Sequence, residues 1–318
     1  MTRMLKKKVF AAALAAALIL SFVPILPGSG IHAATKSSTS PKKVKVSVVD
    51  RQYFAVHSKK GKLVSSEKDR LSYDKAGRLI SRKCTGGKIY TYAVDYTLKY
   101  RTDKIICRAI DRHQGPEIPT DVSTAYFKDG HVAKIRYNSE GNISWQQVVY
   151  DGSGKPKEIK DPSTYEEDGN KVTEDLVYTY SYDPSGRVSS VRYDEITSSG
   201  SILWSTIRFS YDRRGYISRT VVKNYNEKGK LRSREVTSYT NHYDKQGRLV
   251  KINYRYKGMK SKFSFSYHYK KIKVTPEQKK FIKEQQDELL FHPTWSIADS
   301  NFGSCCGIGY QGEFAVII

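Results

Sequence analysis

The chain alternates apolar and polar residues with a period of two over much of its length. The clearest case is residues 263–270, where Phe and Tyr hold the odd positions and polar residues the even ones. Residues 178–182 and 207–211 alternate in the same way. Successive side chains of a β-strand point to opposite faces, so each segment is predicted to have one aromatic and one polar face. This pattern is typical of an antiparallel sheet that is covered on one side.

The alternating segments are separated by a recurring turn sequence. Tyr73–Leu79, Tyr182–Val188 and Tyr243–Leu249 each read Tyr-Asp-x-x-Gly-Arg followed by an apolar residue, and looser copies lie between them. Asp at a turn corner bonds backbone N–H groups, and Gly takes the left-handed conformation that other residues resist. The motif therefore predicts a type I turn followed by a bulge. The predicted turn residues are Asp74, Gly77, Arg78, Asp183, Gly186, Arg187, Asp244, Gly247 and Arg248.

The turn glycines are regularly spaced. Glycines 186, 215 and 247 are assigned to one edge of the sheet and glycines 200, 229 and 258 to the opposite edge, at intervals of about one hairpin pair. No Pro occurs between Pro184 and Pro276, as strands that need their N–H groups require. We predict an all-β fold, an antiparallel meander of β-hairpins over residues 44–274; the pattern leaves undecided whether the sheet closes into a shell or barrel.

A helical segment follows the predicted strands. Thr275 can cap a helix, Pro276 suits its first position, and a partial apolar stripe continues to Leu290. We predict one helix over residues 275–290, packed on the end of the sheet so that it hides the last strand edge. Residues 291–318 form a Cys-containing tail without an assigned structure.

The Tyr-Asp-x-x-Gly-Arg turns resemble the YD repeats of RHS-type proteins over residues 70–270. The resemblance implies a secreted or surface protein, with carbohydrate or surface binding as in some members. Larger members enclose a toxin in a β-shell, but here only a helix and a short tail follow a short array. What carries over is the role of the Asp, Gly and Arg residues as turn formers. No catalytic residue carries over.

The first residues are predicted to be an export signal. Basic residues precede an apolar stretch that ends near Pro24, and Ala33 and Ala34 form a small-residue cleavage site, so residues 1–34 are predicted to be a signal peptide. Residues 35–43 are predicted to be a flexible linker. The first Cys is Cys84, which argues against a lipid anchor, and no second apolar run is long enough to span a bilayer. We expect a secreted protein that is released or held at the cell surface or wall.

The charge of the chain favours an anionic partner. Beyond residue 34 there are 51 basic and 32 acidic residues, a net charge of +19. Wall polymers, acidic glycans, lipid headgroups and nucleic acids all fit this charge, although it also serves solubility. Basic residues on the polar strand faces and two Trp residues that can stack on sugar rings or bases are the candidate contacts. They are Arg192, Arg208, Arg219, Lys223, Trp145 and Trp204.

The four cysteines are assigned structural roles. Cys84 and Cys107 flank one predicted hairpin and form the favoured disulfide, whereas the adjacent Cys305 and Cys306 form a strained vicinal bridge or stay free. A nucleophilic Cys needs a neighbouring base, and His292 is only the nearest in sequence. We predict no catalytic residue, metal site or cofactor.

Three functions therefore remain as hypotheses. The first is a non-catalytic module that binds an anionic wall polymer or polysaccharide. The second is a structural or protein-interaction module of the RHS type, which exposed edge strands would favour. The third is a hydrolase that uses the carboxyl-terminal Cys pair. Export and the lack of a recognised motif argue against nucleic acid as the partner.

Overall fold

The computed structural model describes residues 42–88, 94–111, 121–129, 131–139, 142–167 and 170–289. Cys305 and Cys306, the predicted signal peptide and the carboxyl-terminal tail lie outside these ranges. The described elements are β1 (Val44–His57), β2 (Leu63–Tyr73), β3 (Leu79–Lys88), β4 (Val94–Tyr100), β5 (Lys104–Asp111), β6 (Asp121–Lys128), β7 (His131–Ser139), β8 (Asn142–Tyr150), β9 (Pro156–Glu167), β10 (Asn170–Tyr182), β11 (Val188–Thr197), β12 (Gly200–Tyr211), β13 (Ile217–Tyr225), β14 (Leu231–Tyr243), β15 (Leu249–Tyr256), β16 (Lys262–Val274) and α1 (Pro276–Leu289).

The strands form a closed barrel. Each strand pairs antiparallel with its neighbours in the chain, and β1 also pairs with β16, from Val44 opposite Val274 to His57 opposite Lys262. The all-β antiparallel fold with one helix is therefore confirmed, and the meander, whose closure the sequence left undecided, closes into a barrel instead of remaining an open sheet. Closure satisfies the backbone groups that an open sheet would leave unpaired at its two edge strands.

The inward-facing side chains close the interior of the barrel to water. Phe263 and Phe265 on β16, Leu79 on β3, Ile135 on β7 and Ile159 on β9 are all at most 2% exposed. These strands are spread around the barrel, so the burial is not confined to one wall. The aromatic rows predicted to face the core do so, and the interior is packed along these strands.

The predicted turn residues adopt the expected geometry. Gly77 has a φ of 82° and donates its N–H to the carbonyl of Asp74. The Asp74 Oδ1 accepts the N–H of Arg78 at 2.9 Å, and Oδ2 accepts its Nε at 2.7 Å. A register shift after Ser72 supplies the bulge. The same Asp–Arg hydrogen bonds recur in the turns at Asp183 with Arg187 and at Asp244 with Arg248.

The Tyr that opens the motif has a role that its sequence position does not reveal. Its hydroxyl donates to a backbone carbonyl of the strand that precedes its own, and Tyr100 and Tyr269, which do not open a Tyr-Asp motif, make the same hydrogen bond. We call these residues the tyrosine ladder. They are Tyr73, Tyr100, Tyr150, Tyr182, Tyr211 and Tyr269, which donate to the carbonyls of Val49, Leu79, Val132, Pro156, Val188 and Leu249 at 2.5 to 2.9 Å. The ladder ties neighbouring hairpins together at one end of the barrel, which we call the tyrosine rim.

Helix α1 begins as the sequence predicts. The Thr275 backbone N–H donates to the Gln278 side chain at 2.9 Å, and the Gln278 N–H donates to the Thr275 hydroxyl at 3.4 Å. This reciprocal pair is a capping box. It fixes the first turn of the helix directly after β16.

The helix packs where β1 and β2 meet at the tyrosine rim. Ile282 is 1% exposed and lies in an apolar cluster with Val48 on β1. The Gln286 side chain accepts the N–H of Val49 at 2.6 Å and donates to the Tyr73 hydroxyl at 3.1 Å. The helix was predicted to hide the edge of the last strand, but β16 is paired with β1 and has no free edge there. Instead, α1 satisfies the backbone N–H of Val49 beside the bulge in β1.

The predicted disulfide between Cys84 and Cys107 is absent. Both residues are buried free thiols, one on β3 and the other on β5. Strand β4 lies between these strands, which places them about 9.6 Å apart. A disulfide requires Cα atoms within about 7 Å of each other. The two cysteines therefore lie on the same face of the sheet, as their positions on either side of one hairpin suggested, but they are not on neighbouring strands.

Candidate functional site

A set of basic side chains shares the outer face of β12–β15. We call this set the outer basic face, and its members are Arg208, Arg219, Lys223, Arg234 and Arg255. The inward positions of these strands are apolar and buried, for example Ile207 and Val222. Because side chains alternate along a strand, the basic residues between them point outward.

The strand register brings these cations close together. Lys223 on β13 lies directly opposite Arg234 on β14. Arg219 and Arg255 flank Ser238 in another row across the same strands. Four neighbouring strands are about 14 Å wide, and outward rows repeat about every 7 Å along a strand. The five charges therefore occupy one compact area of the sheet.

The nearby acids are engaged elsewhere. Residues 200–256 contain 13 basic and four acidic residues. Asp212 and Asp244 accept hydrogen bonds inside their turns, Glu227 lies in the β13–β14 turn, and Glu235 is opposite the inward-facing Val222. In the described part of the chain, no carboxylate lies within 4.0 Å of a basic group of the outer basic face. Its charge is therefore available to a ligand.

Two other sequence candidates are already occupied. Arg192 is outside this set, because its guanidinium forms a two-pronged ion pair with Asp194 at 2.6 and 2.7 Å. The Trp204 ring packs against the interior cluster, and its indole N–H donates to Glu195 at 2.5 Å. Trp145, in contrast, is 41% exposed on the outer face of β8. The structure thus groups Arg208, Arg219 and Lys223, and separates them from the two Trp residues.

A groove of about 550 Å³ opens at the tyrosine rim between residues 212–214 and residues 241–244. It contains Arg213, Arg214 and His242, all of which are exposed. His242 is opposite Lys251 on β15. The groove thus brings further basic groups to the rim end of the same strands. Sequence reasoning missed it, because it arises from an irregularity in the repeat.

That irregularity is the replacement of the motif Arg by Tyr216. Without an Arg four residues on, Asp212 accepts hydrogen bonds from the Tyr243 hydroxyl and, at 2.8 Å, from Asn241. Desolvation opposes the effect, but these bonds lower the pKa of Asp212 below its usual value. Tyr243 is therefore drawn to a side chain instead of a backbone carbonyl, and Arg214 lies over its ring at 4.7 Å.

A second polar group lies inside the barrel. Arg82 donates from Nε to Asp69 at 3.0 Å and from a terminal nitrogen to Glu67 at 3.4 Å. Asp69 and Arg82 have side chains only 1% and 8% exposed. Burial, and then the neighbouring Asp69, raise the pKa of Glu67 to about 8. Glu67 is therefore protonated at neutral pH, and the Asp69–Arg82 pair is neutral overall.

This interior group does not suit a cation. Ligand atoms of Glu67, Asp69 and Cys84 lie within 4.8 Å of one another. However, the Arg82 guanidinium contacts both carboxylates, and a metal ion would have to displace it at the cost of a buried, unpaired charge. The arrangement is that of a structural ion pair, which holds β2 against β3.

In this part of the barrel, the side chains that face the interior are apolar and those that face outward include many charged ones. Arg208, Arg219 and Lys223 stand on the outside of the barrel, whereas the neighbouring Ile207 and Val222 are buried on its inside. None of the helices in the described ranges is long and apolar enough to cross a bilayer.

Comparisons with known proteins give weak structural matches. No protein-family model matches the chain, and no curated protein matches it. Crystal structures of porin-like proteins from Bacteroides uniformis and Bacteroides vulgatus share 14% identity with it, cover 70% of this chain and 98% of their own, and have TM-scores of 0.42 and 0.45. The TcdB2-TccC3-TEV crystal structure aligns over 62% of this chain and 12% of its own, at 11% identity and a TM-score of 0.25. These values assign neither a family nor a function.

The assignment to the YD-repeat family of RHS-type proteins is wrong. No family model supports it, and two of the solved structures that align with most of the chain are described as porin-like. The structure gives a physical reason for the motif: Asp and Gly are required by each bulged turn, and Tyr and Arg by contacts at the rim. Local hairpin chemistry therefore explains the repeat.

Proposed function

We propose that this protein is a secreted, non-catalytic binding protein whose outer basic face holds an anionic polymer of the cell surface or wall. The observation that carries the proposal is the pairing of Lys223 with Arg234 across β13 and β14, with no carboxylate partner in the described residues. Like charges directly opposite each other destabilise a sheet. A bound anion removes that repulsion, so binding and stability favour the same occupant.

The layout favours a polymer over a single small ion. Five cations are distributed over four strands, and the groove at Arg213 and Arg214 extends them to the rim. A chain with repeated phosphate or carboxylate groups can contact several of them at once. Multiple weak contacts then combine, as in other multivalent binding.

The predicted signal peptide over residues 1–34 supports a location outside the cytoplasm, where such polymers are found. The rival interaction module loses its motivation, because the strands in the described residues form a closed barrel and leave no edge strand among them. The hydrolase hypothesis rested on Cys305 and Cys306, which lie outside the described residues. Inside those residues, the titratable cluster at Glu67 is occupied by Arg82.

The proposal is tested by retention of the purified protein on isolated bacterial cell walls. Intact walls are compared with walls whose phosphodiester-linked polymers have been removed by hydrofluoric acid, at low and high salt. We expect retention on intact walls that falls steeply with salt, because exposed charges are screened over about 10 Å at 0.1 M. Equal retention at both salt concentrations would count against an electrostatic site.

A charge-matched pair of variants locates the site. The triple substitution R208E/R219E/K223E reverses three charges of the outer basic face, and K59E/K60E/K62E makes the same change in the exposed β1–β2 turn. We expect the first variant to lose wall retention and the second to keep it. Equal losses would show that net charge, and not this surface, is responsible.

A further inference from the structure

An aromatic pair, of which Trp145 is exposed and Tyr126 half-buried, lies on the outer face of β6–β8. Tyr126 on β6 and Trp145 on β8 have ring centroids 5.8 Å apart and planes 29° from parallel. Ile135 of the intervening β7 is fully buried, so the side chains on either side of it along that strand, Lys134 and Arg136, point outward with the aromatic pair. The register confirms this, since Lys134 is opposite Tyr126 and Arg136 is opposite Trp145.

The position of Trp145 differs from that of the interior aromatics. The buried Tyr and Phe rings are at most 8% exposed, whereas Trp145 is 41% exposed. Ile143 and Val149, on the same outward row of β8, are 53% and 36% exposed. One strand thus presents an apolar strip, interrupted by Gln147, on a barrel whose outer face is otherwise rich in charge. Exposed apolar strips rimmed by polar groups mark binding surfaces.

Cations surround this strip. Lys104 places its ammonium 5.8 Å from the Tyr126 ring centroid, and Lys134 and Arg136 lie between the two aromatic side chains on β7. For Lys134 and Arg136, the described residues provide no carboxylate within 4.0 Å. The surface therefore combines a flat apolar ring with unneutralised donors, which matches a ligand that has both an apolar face and an acid group.

We propose that Tyr126 and Trp145 form a stacking platform for a sugar ring of an acidic oligosaccharide, with Arg136 and Lys134 receiving its carboxylate. The C–H groups on one face of a pyranose ring are apolar and pack on an aromatic ring, while its acid group pairs with a cation at the edge. The platform lies on β6–β8, away from the outer basic face on β12–β15, and does not depend on it.

A single aromatic pair favours a sugar over a nucleic acid strand. Surfaces for single strands stack successive bases on several aromatic side chains along a basic groove. Here the rings form one platform on an outward sheet face. One ring of the ligand is thus stacked, and its neighbours in the oligosaccharide extend over Ile143 or Val149.

The platform is tested by titrating the purified protein with an oligomer of galacturonic acid, a neutral glucose oligomer of equal length and an oligothymidylate, followed by calorimetry and Trp fluorescence. We expect the acidic oligomer to bind most tightly. Removal of the ring in W145A is expected to weaken that binding about tenfold, equivalent to about 1.4 kcal/mol. R136Q is expected to reduce the preference for the acidic over the neutral oligomer.

Controls separate this site from the others. I196A removes an exposed apolar side chain from β11, away from the platform, and W204F alters the partly buried Trp; both are expected to bind like the wild type. R208E/R219E/K223E is expected to lose wall retention yet keep oligosaccharide binding. Failure of the galacturonic acid oligomer to bind, unchanged binding by W145A, or tighter binding of oligothymidylate would overturn the proposal.

Discussion

The guanidinium carbon of Arg187 lies 4.4 Å from the ring centroid of Tyr211, whose hydroxyl in turn donates to the carbonyl of Val188 at 2.5 Å. The Arg of one turn therefore contacts the Tyr that leads into the next turn of the rim. Arg78 over Tyr100 and Arg248 over Tyr269 repeat the relationship at 4.6 and 4.7 Å. The motif thus links each hairpin to the next one as well as forming its own turn.

Loss of one rung of the tyrosine ladder should lower stability measurably. Y211F removes the hydrogen bond to Val188 and keeps the ring, so we expect the free energy of unfolding to fall by about 1 kcal/mol. Tyr225 holds the same motif position at the opposite end of the barrel, and its hydroxyl has no hydrogen-bond partner among the described residues. Y225F is therefore the control, with little expected change. Equal urea midpoints for both variants would contradict the role of the ladder.

Two glycines with the same backbone conformation should respond differently to alanine. Gly61 and Gly77 both have a φ of 82°. A Cβ at Gly61 meets nothing within 4 Å, whereas one at Gly77 would lie 2.3 Å from Ile282 Cδ1. Both G61A and G77A incur about 1–2 kcal/mol for the left-handed conformation. We expect G77A to lose more stability in thermal unfolding, because the buried Ile282 side chain must move and its packing under α1 is disturbed.

The greater loss in G77A should be accompanied by release of α1. Hydrogen exchange of residues 276–289 should rise in G77A but not in G61A. Identical exchange and identical melting temperatures for the two variants would show that the helix does not dock on this turn.

Glu67 should make the protein less stable as pH rises. Burial raises its pKa from 4.5 to about 8, so the folded state holds a proton that the unfolded state releases between these values. The stabilisation that protonated Glu67 provides is therefore complete below pH 4.5 and is lost as pH rises towards 8. Burial also raises the pKa of Asp161 to about 6, which adds to the lower part of the window.

The substitution E67Q removes this titration. We expect the wild type to lose on the order of 1–3 kcal/mol more than E67Q between pH 4.5 and 8, measured by urea unfolding at several pH values. E227Q, which changes an exposed turn carboxylate, should keep the wild-type slope. Parallel pH profiles for the wild type and E67Q would contradict the buried state of Glu67.

Cys84 and Cys107 should behave as inert thiols. Both are buried, and burial raises the pKa of the Cys107 thiol to about 12, which leaves almost no thiolate at neutral pH. We expect neither residue to be alkylated in the native protein, and both to be alkylated in denaturant without a reductant, as read by peptide mass spectrometry. Labelling that requires a reductant would reveal the disulfide that the structure lacks.

The sequence revealed local structure well and long-range structure poorly. The alternation of residues 263–270 and the Asp74-x-x-Gly77 turn are governed by neighbours in the chain, so the strands, turn type and inward aromatic rows could be predicted. Pairing of Val44 with Val274 joins the two ends of the sheet and leaves no local signal. Closure of the sheet therefore could not be predicted from the sequence.

The candidate site could be predicted only in part. Arg208, Arg219 and Lys223 lie on polar strand faces, which their alternation with apolar residues reveals. Arg234 and Arg255 belong to the outer basic face because of the strand register. Arg192 does not belong to it, because its guanidinium is paired with Asp194. The groove at Arg214 arises because Tyr216 replaces an Arg, and its geometry depends on Tyr243 from the next hairpin.

Barrel closure is the claim on which the packed interior and the outward basic face both depend. Its most direct test is disulfide formation between β1 and β16 in A55C/S264C, on a background with Cys84 and Cys107 changed to Ser, since Ala55 and Ser264 are paired residues. N253C/S264C, which joins the adjacent strands β15 and β16, is the positive control for the same acceptor position. The closed barrel predicts that mild oxidation cross-links both pairs. Cross-linking of N253C/S264C alone would contradict closure and restore the open sheet.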